Sequence, residues 1–422
     1  MDVFKVHGGT SLSGKIRVSG SKNSALPLMS ASLLASGTTT IKDVPVLSDV
    51  LFMQKLLGEI GAECSRNEPH TLSIDAARIY KPYGDYEIVR KMRASICVLG
   101  PLLARCGRAE VSMPGGCSIG TRPVDLHIRG LRELGADIRI SKGYIIAKAS
   151  KGLKGKKIFL GGPFGSSVLA TANVMMAATL AEGETIIESA ACEPEVVDLA
   201  NFLKTMGARI YNAGSPEMRI EGVPELRPTN YRVIPDRIEA GTYMVAAGIT
   251  GGELEIDNCR LDHLGAVSDA LEKMGMVIEK TTEGCRISSG KVIRPVDITT
   301  QPYPGFPTDL QAQFMAMLSI AQGNSVVTEK IFPDRFMHVP EMTRMGALLR
   351  KEGQCTIVNG VPGLTSAPIM ASDLRASAAL VLAGLAAEGE TTINRVYHID
   401  RGYEKIEEKL NKVGAEIVRE SA

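Results

Sequence analysis

The chain carries no excess of either charge: 48 Lys and Arg stand against 47 Asp and Glu, for a formal net charge of +1. A nucleic-acid binder, or a protein that lies on an anionic membrane, shows a basic excess or a basic stripe, and neither is present. A long hydrophobic run is missing as well. The opening MDVFKVHGGTSLSGKIRVSG alternates as a strand does and lacks the basic start and apolar core of a signal peptide. Further on, the apolar stretches are broken by polar residues before they reach bilayer length. The expectation is a soluble cytoplasmic protein with no nucleic-acid, membrane or obligate protein partner.

Paired cysteines are also lacking. Cys64, Cys97, Cys106, Cys117, Cys192, Cys259, Cys285 and Cys355 are scattered singly, with no CxxC and no spacing of a zinc site or disulfide framework. No GxGxxG follows a first strand, and GxxxxGK(S/T), GxSxG and HExxH are absent. P-loop hydrolysis and zinc chemistry are set aside, and neither metal nor cofactor is expected. The six histidines are dispersed, and His127 suits a helix surface as well as it suits catalysis.

What is present is a repeat. A Gly-centred tripeptide closes an amphipathic helix and opens a strand six times, with glycines at 61, 135, 207, 275, 346 and 414. A second marker runs in step, where glycine ends an apolar helix before a β-rich stretch: SGTTTI, CGRAEV, EGETII, GGELEI, QGNSVV and EGETTI. Glycine suits the left-handed position after a last helical turn, and Thr, Val and Ile suit the strand that follows. A period of roughly 70 residues implies one supersecondary unit used six times. Each unit reads as apolar helix, glycine, strand, loop, amphipathic helix, glycine, strand.

The two helix kinds differ. SDVLFMQKLLGEI starts at a Ser or Asp cap and places Val50, Met53, Leu57 and Ile60 on one face, so it covers a sheet from outside. SSVLATANVMMAATLA and DLRASAALVLAGLAA are apolar nearly all round and belong inside a domain. Six units without polar capping repeats fit two three-unit α/β domains better than a solenoid. The cut is placed near YRVIPDRIEAG, giving 23–235 as the first domain and 1–22 with 236–422 as the second.

Polar groups collect where the apolar helices begin: Lys22 and Asn23, Arg93, Ser166 and Ser167, Arg237 and Glu239, Asp309, and Asp373 with Arg375. Helix N-termini favour anions, and adding Arg122 and Arg401 makes an electropositive site suited to phosphate and carboxylate. The alternative is that each charge pairs locally, as Asp373 could with Arg375, and that Asp309 is a helix cap.

One cysteine sits in an unusual context, Met113 to His127, MPGGCSIGTRPVDLH. Glycines beside Cys117 free the backbone, and Arg122 nearby lowers a thiol's pKa. With this stretch, SGSKNSALPL, MRASICVLGP, EPEVVDLANFL, YRVIPDRIEAGTY, FPTDLQAQF, DRFMHVPEMTRMGA, DLRASAALVLAG and YHIDRGYEKIEEKL all in order, the chain resembles the UDP-N-acetylglucosamine enolpyruvyl transferases over essentially its full length. That family is grouped with the shikimate-phosphate enolpyruvyl transferases, and the resemblance implies two inverse α/β domains of three units each, with buried helices and outer sheets.

It further implies transfer of the enolpyruvyl group of phosphoenolpyruvate to the 3-hydroxyl of UDP-N-acetylglucosamine, with release of phosphate, in the first committed step of peptidoglycan synthesis. By resemblance Cys117 matches the mobile-loop cysteine, a proton donor to the methylene carbon and the residue alkylated by fosfomycin. Asp309 matches the candidate base. Lys22, Arg122 and Arg401 match the phosphoenolpyruvate clamp, with Arg93 close to it. Asn23 matches a contact to the acetylglucosamine. Arg122, Pro123, Val124, Asp125 and Leu126 match the uridine diphosphate cradle, with Ser167, Val168 and Ile331 on other walls. Arg335, Asp373 and Arg375 fall in cleft motifs, or form an ion-pair network holding the second domain.

One stretch departs from the family pattern. FGSSVLATAN has Gly165 where a lysine would stand and Leu169 where a glycine would, which implies a weaker grip on the nucleotide. Two rival readings are a shikimate-3-phosphate enolpyruvyl transferase, disfavoured by the PGGC context, and a non-catalytic paralogue that binds sugar nucleotide, disfavoured because Cys117, Asp309 and the arginines are all present.

Overall fold

A computed structural model describes residues 2–115, 124–290 and 292–421. Among these, 20–115 with 124–234 form one compact unit, called the first, and 2–19 with 235–421 form the second. The division falls at 19/20 and 234/235, a few residues from the expected cut. Local bonding explains the shift. Ser21 caps the helix Lys22–Ala31 and its N–H donates to the Ile234 carbonyl at 2.7 Å, within the first unit. In the second, the Asp236 N–H donates to the Ser19 carbonyl at 2.9 Å.

Six four-stranded sheets carry the repeat. In the first, Thr38–Lys42 pairs parallel with Asn230–Arg232 and antiparallel with Thr71–Asp75, which pairs in turn with Glu63–Glu68. The other five sheets have the same order and directions. Each unit of the repeat therefore holds two strands more than its sequence pattern suggested: a hairpin partner for the strand after the amphipathic helix, and a short parallel edge strand. The chain termini also mesh. Asp2–His7 lies between Glu390–Asn394 and Glu416–Ser421, so the N-terminal strand completes the sixth sheet.

Both helix kinds are present six times. Leu374–Ala386 and Val168–Ala178 are buried on nearly every side. The amphipathic helix Ser48–Ile60 buries Val50, Met53, Leu57 and Ile60, all 0% exposed, and shows its other face to solvent. Its start differs from expectation: Leu47 precedes it with no side-chain cap, and Asp49 is buried instead. Each of the twelve markers holds a glycine of positive φ, from +67° to +141°, in GGELEI the first of the pair, Gly251, rather than Gly252, as a left-handed stop after a helix demands. No helix among the described residues is long and apolar enough to cross a membrane.

Candidate active site

Cys117, Arg122 and Pro123 lie outside the described residues. Just before them, Gly115 approaches the neighbouring chain so closely that a Cβ would sit 2.5 Å from the Arg90 carbonyl oxygen. Only glycine fits there, so its role is close seating against Arg90.

In the first unit the expected residues gather at helix starts. Lys22 opens Lys22–Ala31, is 5% exposed, and places Nζ 3.2 Å from the buried Asp49 carboxylate. Asn23 follows it, half-buried. Arg93, also half-buried, opens the 3-10 turn Arg93–Val98. Ser167 caps Val168–Ala178 by accepting the Ala170 N–H. Val124 is buried, and Asp125 and Leu126 open the helix Asp125–Glu133. The proposed lysine position is occupied by a turn: Gly162 and Gly165 exchange backbone hydrogen bonds at 2.9 and 3.1 Å, and Gly165 has φ +92°. A side chain is strained at that φ, which gives the departure from the family pattern a backbone cause.

His127 is not a surface residue. It is 3% exposed, and its Nδ1 accepts from Asn173 Nδ2 at 3.0 Å. The same amide donates to the Ile96 carbonyl at 2.8 Å, while Asn173 Oδ1 accepts the Gly100 N–H at 2.6 Å. Burial, with Arg93 adding, pushes the imidazole pKa down to about 3, so the ring is neutral, and Asn173 links it to the two neighbouring helical segments.

The second unit concentrates ions. Arg335, 5% exposed, donates from Nη1 to Asp309 Oδ1 at 2.7 Å and to Thr308 Oγ1 at 3.0 Å. Arg375, 1% exposed, lies over the Tyr403 ring with its Nε 3.6 Å from Asp309 and Nη2 3.7 Å from Asp236. Those two nitrogens form no hydrogen bond with the described residues. Burial works against its charge, but Tyr403, Asp236 and Asp309 together hold the guanidinium pKa above its ordinary value.

Three expectations are corrected here. Asp309 is not a helix cap: Pro307 precedes the 3-10 turn Thr308–Leu310, and the Asp309 side chain faces the two arginines. Asp373 does not pair with the Arg375 guanidinium. Its Oδ1 accepts the backbone N–H groups of Arg375 and Ala376, capping the last buried helix. An electropositive collar of open helix ends is also not what this unit holds, because Asp236 and Asp373 cap two of its helices with carboxylates. Arg401, half-buried, ends the 3-10 turn Val396–Arg401. Burial lowers the His398 pKa, Arg401 lowers it further, and Asp373 opposes them, so both charges act on one imidazole.

The sequence reading missed two groups. Glu329 is 0% exposed at the end of strand Asn324–Thr328, two residues before the half-buried Ile331. Tyr403 is 1% exposed, with its hydroxyl 2.8 Å from Thr242 Oγ1 and 3.1 Å from Gln313 Nε2. A buried carboxylate directly after a strand gives no periodic signal, and the tyrosine gains meaning only from the guanidinium it stacks on.

A profile of the EPSP synthase (3-phosphoshikimate 1-carboxyvinyltransferase) family matches residues 6–410. The chain is 53% identical over 419 residues to the UDP-N-acetylglucosamine 1-carboxyvinyltransferase of Methylacidiphilum infernorum, covering 99% of each chain. It is 53% identical over 421 residues to the enzyme of that name from Gluconobacter oxydans, covering 100% of each. Among solved structures, the enolpyruvyl transferase NikO from Streptomyces tendae superposes with a TM-score of 0.90 at 25% identity, covering 100% of this chain and 99% of that one. EPSP synthase from Acinetobacter baumannii, at 20% identity and a TM-score of 0.77 over 100% of both chains, shares the fold. Repeat, buried polar helix ends and full-length likeness agree: the chain belongs to the EPSP synthase family of enolpyruvyl transferases, beside its UDP-N-acetylglucosamine 1-carboxyvinyltransferase members.

Proposed function

We infer that this chain transfers the enolpyruvyl group of phosphoenolpyruvate to the 3-hydroxyl of UDP-N-acetylglucosamine and releases phosphate, the first committed step of peptidoglycan synthesis. The observation that carries this is 53% identity, end to end, with transferases named for that sugar nucleotide. The shikimate-phosphate reading has the family profile over residues 6–410 and a 20% likeness of fold to support it, against 53% identity for the sugar-nucleotide transferases.

In this reading the sugar hydroxyl adds to C2 of phosphoenolpyruvate and gives its proton to Asp309, while the Cys117 thiol protonates the C3 methylene. Loss of phosphate from C2 and of a proton from C3 then restores the double bond. Supporting the role of Asp309 is its seat: Arg335 holds one oxygen at 2.7 Å and Arg375 faces the other at 3.6 Å. A base must be oriented before it can act, and this carboxylate is. Lys22, Arg93, Arg122 and Arg401 supply positive charge for the phosphate-bearing adduct, the largest contribution such sites make. By the family resemblance Val124, Asp125, Leu126, Ser167, Val168 and Ile331 are assigned to the nucleotide, and Asn23 to the acetylglucosamine. Both substrates are cytoplasmic metabolites, and the protein is placed with them.

The test is phosphate release from phosphoenolpyruvate, with and without UDP-N-acetylglucosamine, by the native protein and by Cys117→Ala. Release that needs the sugar nucleotide and collapses in the variant is expected. Release driven by shikimate 3-phosphate instead would overturn the assignment of acceptor.

A further inference from the structure

We propose that Glu329 is a positioning residue of this transferase, one that locks the Thr308–Asp309 turn to the segment bearing Ile331 and Arg335. The proposal rests on the functional reading above.

Glu329 is fully buried, yet no Lys or Arg among its hydrogen-bond partners neutralises it. Its hydrogen bonds come from four neutral donors, and the Arg335 guanidinium acts on it through charge alone. Oε1 accepts from Thr300 Oγ1 at 2.7 Å, from the Ile331 N–H at 2.8 Å and from the Phe332 N–H at 2.9 Å. Oε2 accepts from Thr308 Oγ1 at 2.9 Å. Taking a carboxylate out of water is expensive even when its lone pairs are filled, and an apolar side chain would pack the end of a strand without that penalty. What the carboxylate adds is a connection. Thr308 Oγ1 donates to Glu329 and accepts from Arg335 Nη1 at 3.0 Å, and Arg335 Nη1 also donates to Asp309 Oδ1 at 2.7 Å. A continuous chain thus runs from the rigid end of Asn324–Thr328 through Thr308 and Arg335 to the proposed base. The two amides fix Ile331 in the same stroke. Glu329 itself need not touch substrate.

Glu329→Gln, Thr308→Val and the double variant test this by steady-state phosphate release, with folding checked by circular dichroism. Native activity that depends on UDP-N-acetylglucosamine tests the functional reading by itself, so its failure is distinct from failure of the present proposal. Displacing a base by a fraction of an ångström lowers the chemical step far more than ground-state binding, so kcat is expected to fall about tenfold or more in each single variant while the KM for phosphoenolpyruvate stays within about threefold. Because both residues act through one chain, the double variant is expected to lose little beyond the worse single one. A kcat loss below about fivefold, a loss confined to KM, or single losses that multiply in the double variant would overturn the proposal. Should Glu329→Gln not fold, Thr308→Val decides by the same thresholds.

Discussion

The two units share one scaffold and differ in what they bury at their helix ends. In the first, the caps of the helices Lys22–Ala31 and Val168–Ala178 are the neutral Ser21 and Ser167, and beside the buried Lys22–Asp49 ion pair the inner connections run through amides and a neutral imidazole: Asn173 with His127, Gly100 and Ile96. In the second, the helices Arg237–Ile249 and Leu374–Ala386 are capped by Asp236 and Asp373, and the connections are ionic, Asp309 with Arg335 and Arg375, and Glu239 with Lys409 at 2.6 Å. Burial of the aliphatic surface explains why both fold alike. The helix ends escape that constraint, because a few polar residues per unit can be exchanged without disturbing the apolar helices behind them. Chemistry can therefore be set unit by unit on a repeated frame.

The comparison breaks most sharply at Asp309. Asp309→Asn keeps the shape but removes the proposed base and leaves two buried guanidinium groups facing an amide. Phosphate release is expected to fall by about 10²–10⁴-fold, whereas Asn23→Ala in the first unit should act chiefly on the KM for the sugar nucleotide. Equal kcat losses in both variants would erase the distinction.

Acid exposes the neutral core next. His127 is buried uncharged with its pKa pushed down to about 3, and burial lowers that of His338 as well. On unfolding each imidazole regains an ordinary value near 6.5, so below that pH the unfolded chain binds more protons. Stability is full above about pH 6.5 and falls as pH drops toward the folded values, by up to about 1.4 kcal/mol per pH unit for each histidine. Urea midpoints measured at pH 7 and pH 5 should show this slope, and His127→Leu should flatten it. An unchanged slope in that variant would mean that His127 is not the titrating group.

A smaller effect separates the two histidines at neutral pH. Asn173→Ala strands the Gly100 N–H, the Ile96 carbonyl and His127 together and should lower unfolding stability by about 1–3 kcal/mol. Besides its ring contact with Phe336, the His338 side chain has a 3.3 Å contact from Nε2 to the Met315 sulfur and no hydrogen bond at Nδ1 among the described residues. His338→Leu should therefore change stability by less than about 1 kcal/mol, read from the same urea curves.

The smallest change probes the turn at Gly165. Gly165→Lys supplies the side chain that the family pattern has, but at φ +92°. A loss of about 1 kcal/mol in stability is expected from the strain, with no gain in the KM for UDP-N-acetylglucosamine. A fall in that KM would show that the missing lysine, not the backbone, limits the grip.

Much of the fold was legible because it follows from periodicity. Glycine at 61, 135, 207, 275, 346 and 414 stops six amphipathic helices, and each of these residues does have positive φ. Val50, Met53, Leu57 and Ile60 point one way because they are spaced three or four apart, and they are buried. The extra strands were not legible. Tyr83–Gly84 and Ile298–Thr299 are two residues long, too short to alternate visibly, and they are strands only because a neighbour's backbone is there to pair with. The helix cap expected at the start of Ser48–Ile60 failed for a related reason: Asp49 is drawn inside by Lys22.

At the active site the residue types were readable and their partners were not. That Asp309, Asp373 and Arg375 gather near helix starts follows from their place in the repeat. That Arg375 faces Asp309 and Asp236 while Asp373 turns to its own helix's N–H groups does not. The sequence alone determined the sixfold α/β architecture, the two kinds of helix and the residue types at the helix ends, since these depend on spacing along one chain. The tertiary structure alone decided which charges pair, that His127 is neutral and buried, and that Glu329 is linked through Thr308 and Arg335 to Asp309. Those outcomes depend on distances between residues far apart in sequence and on the loss of water around them, and local sequence carries neither.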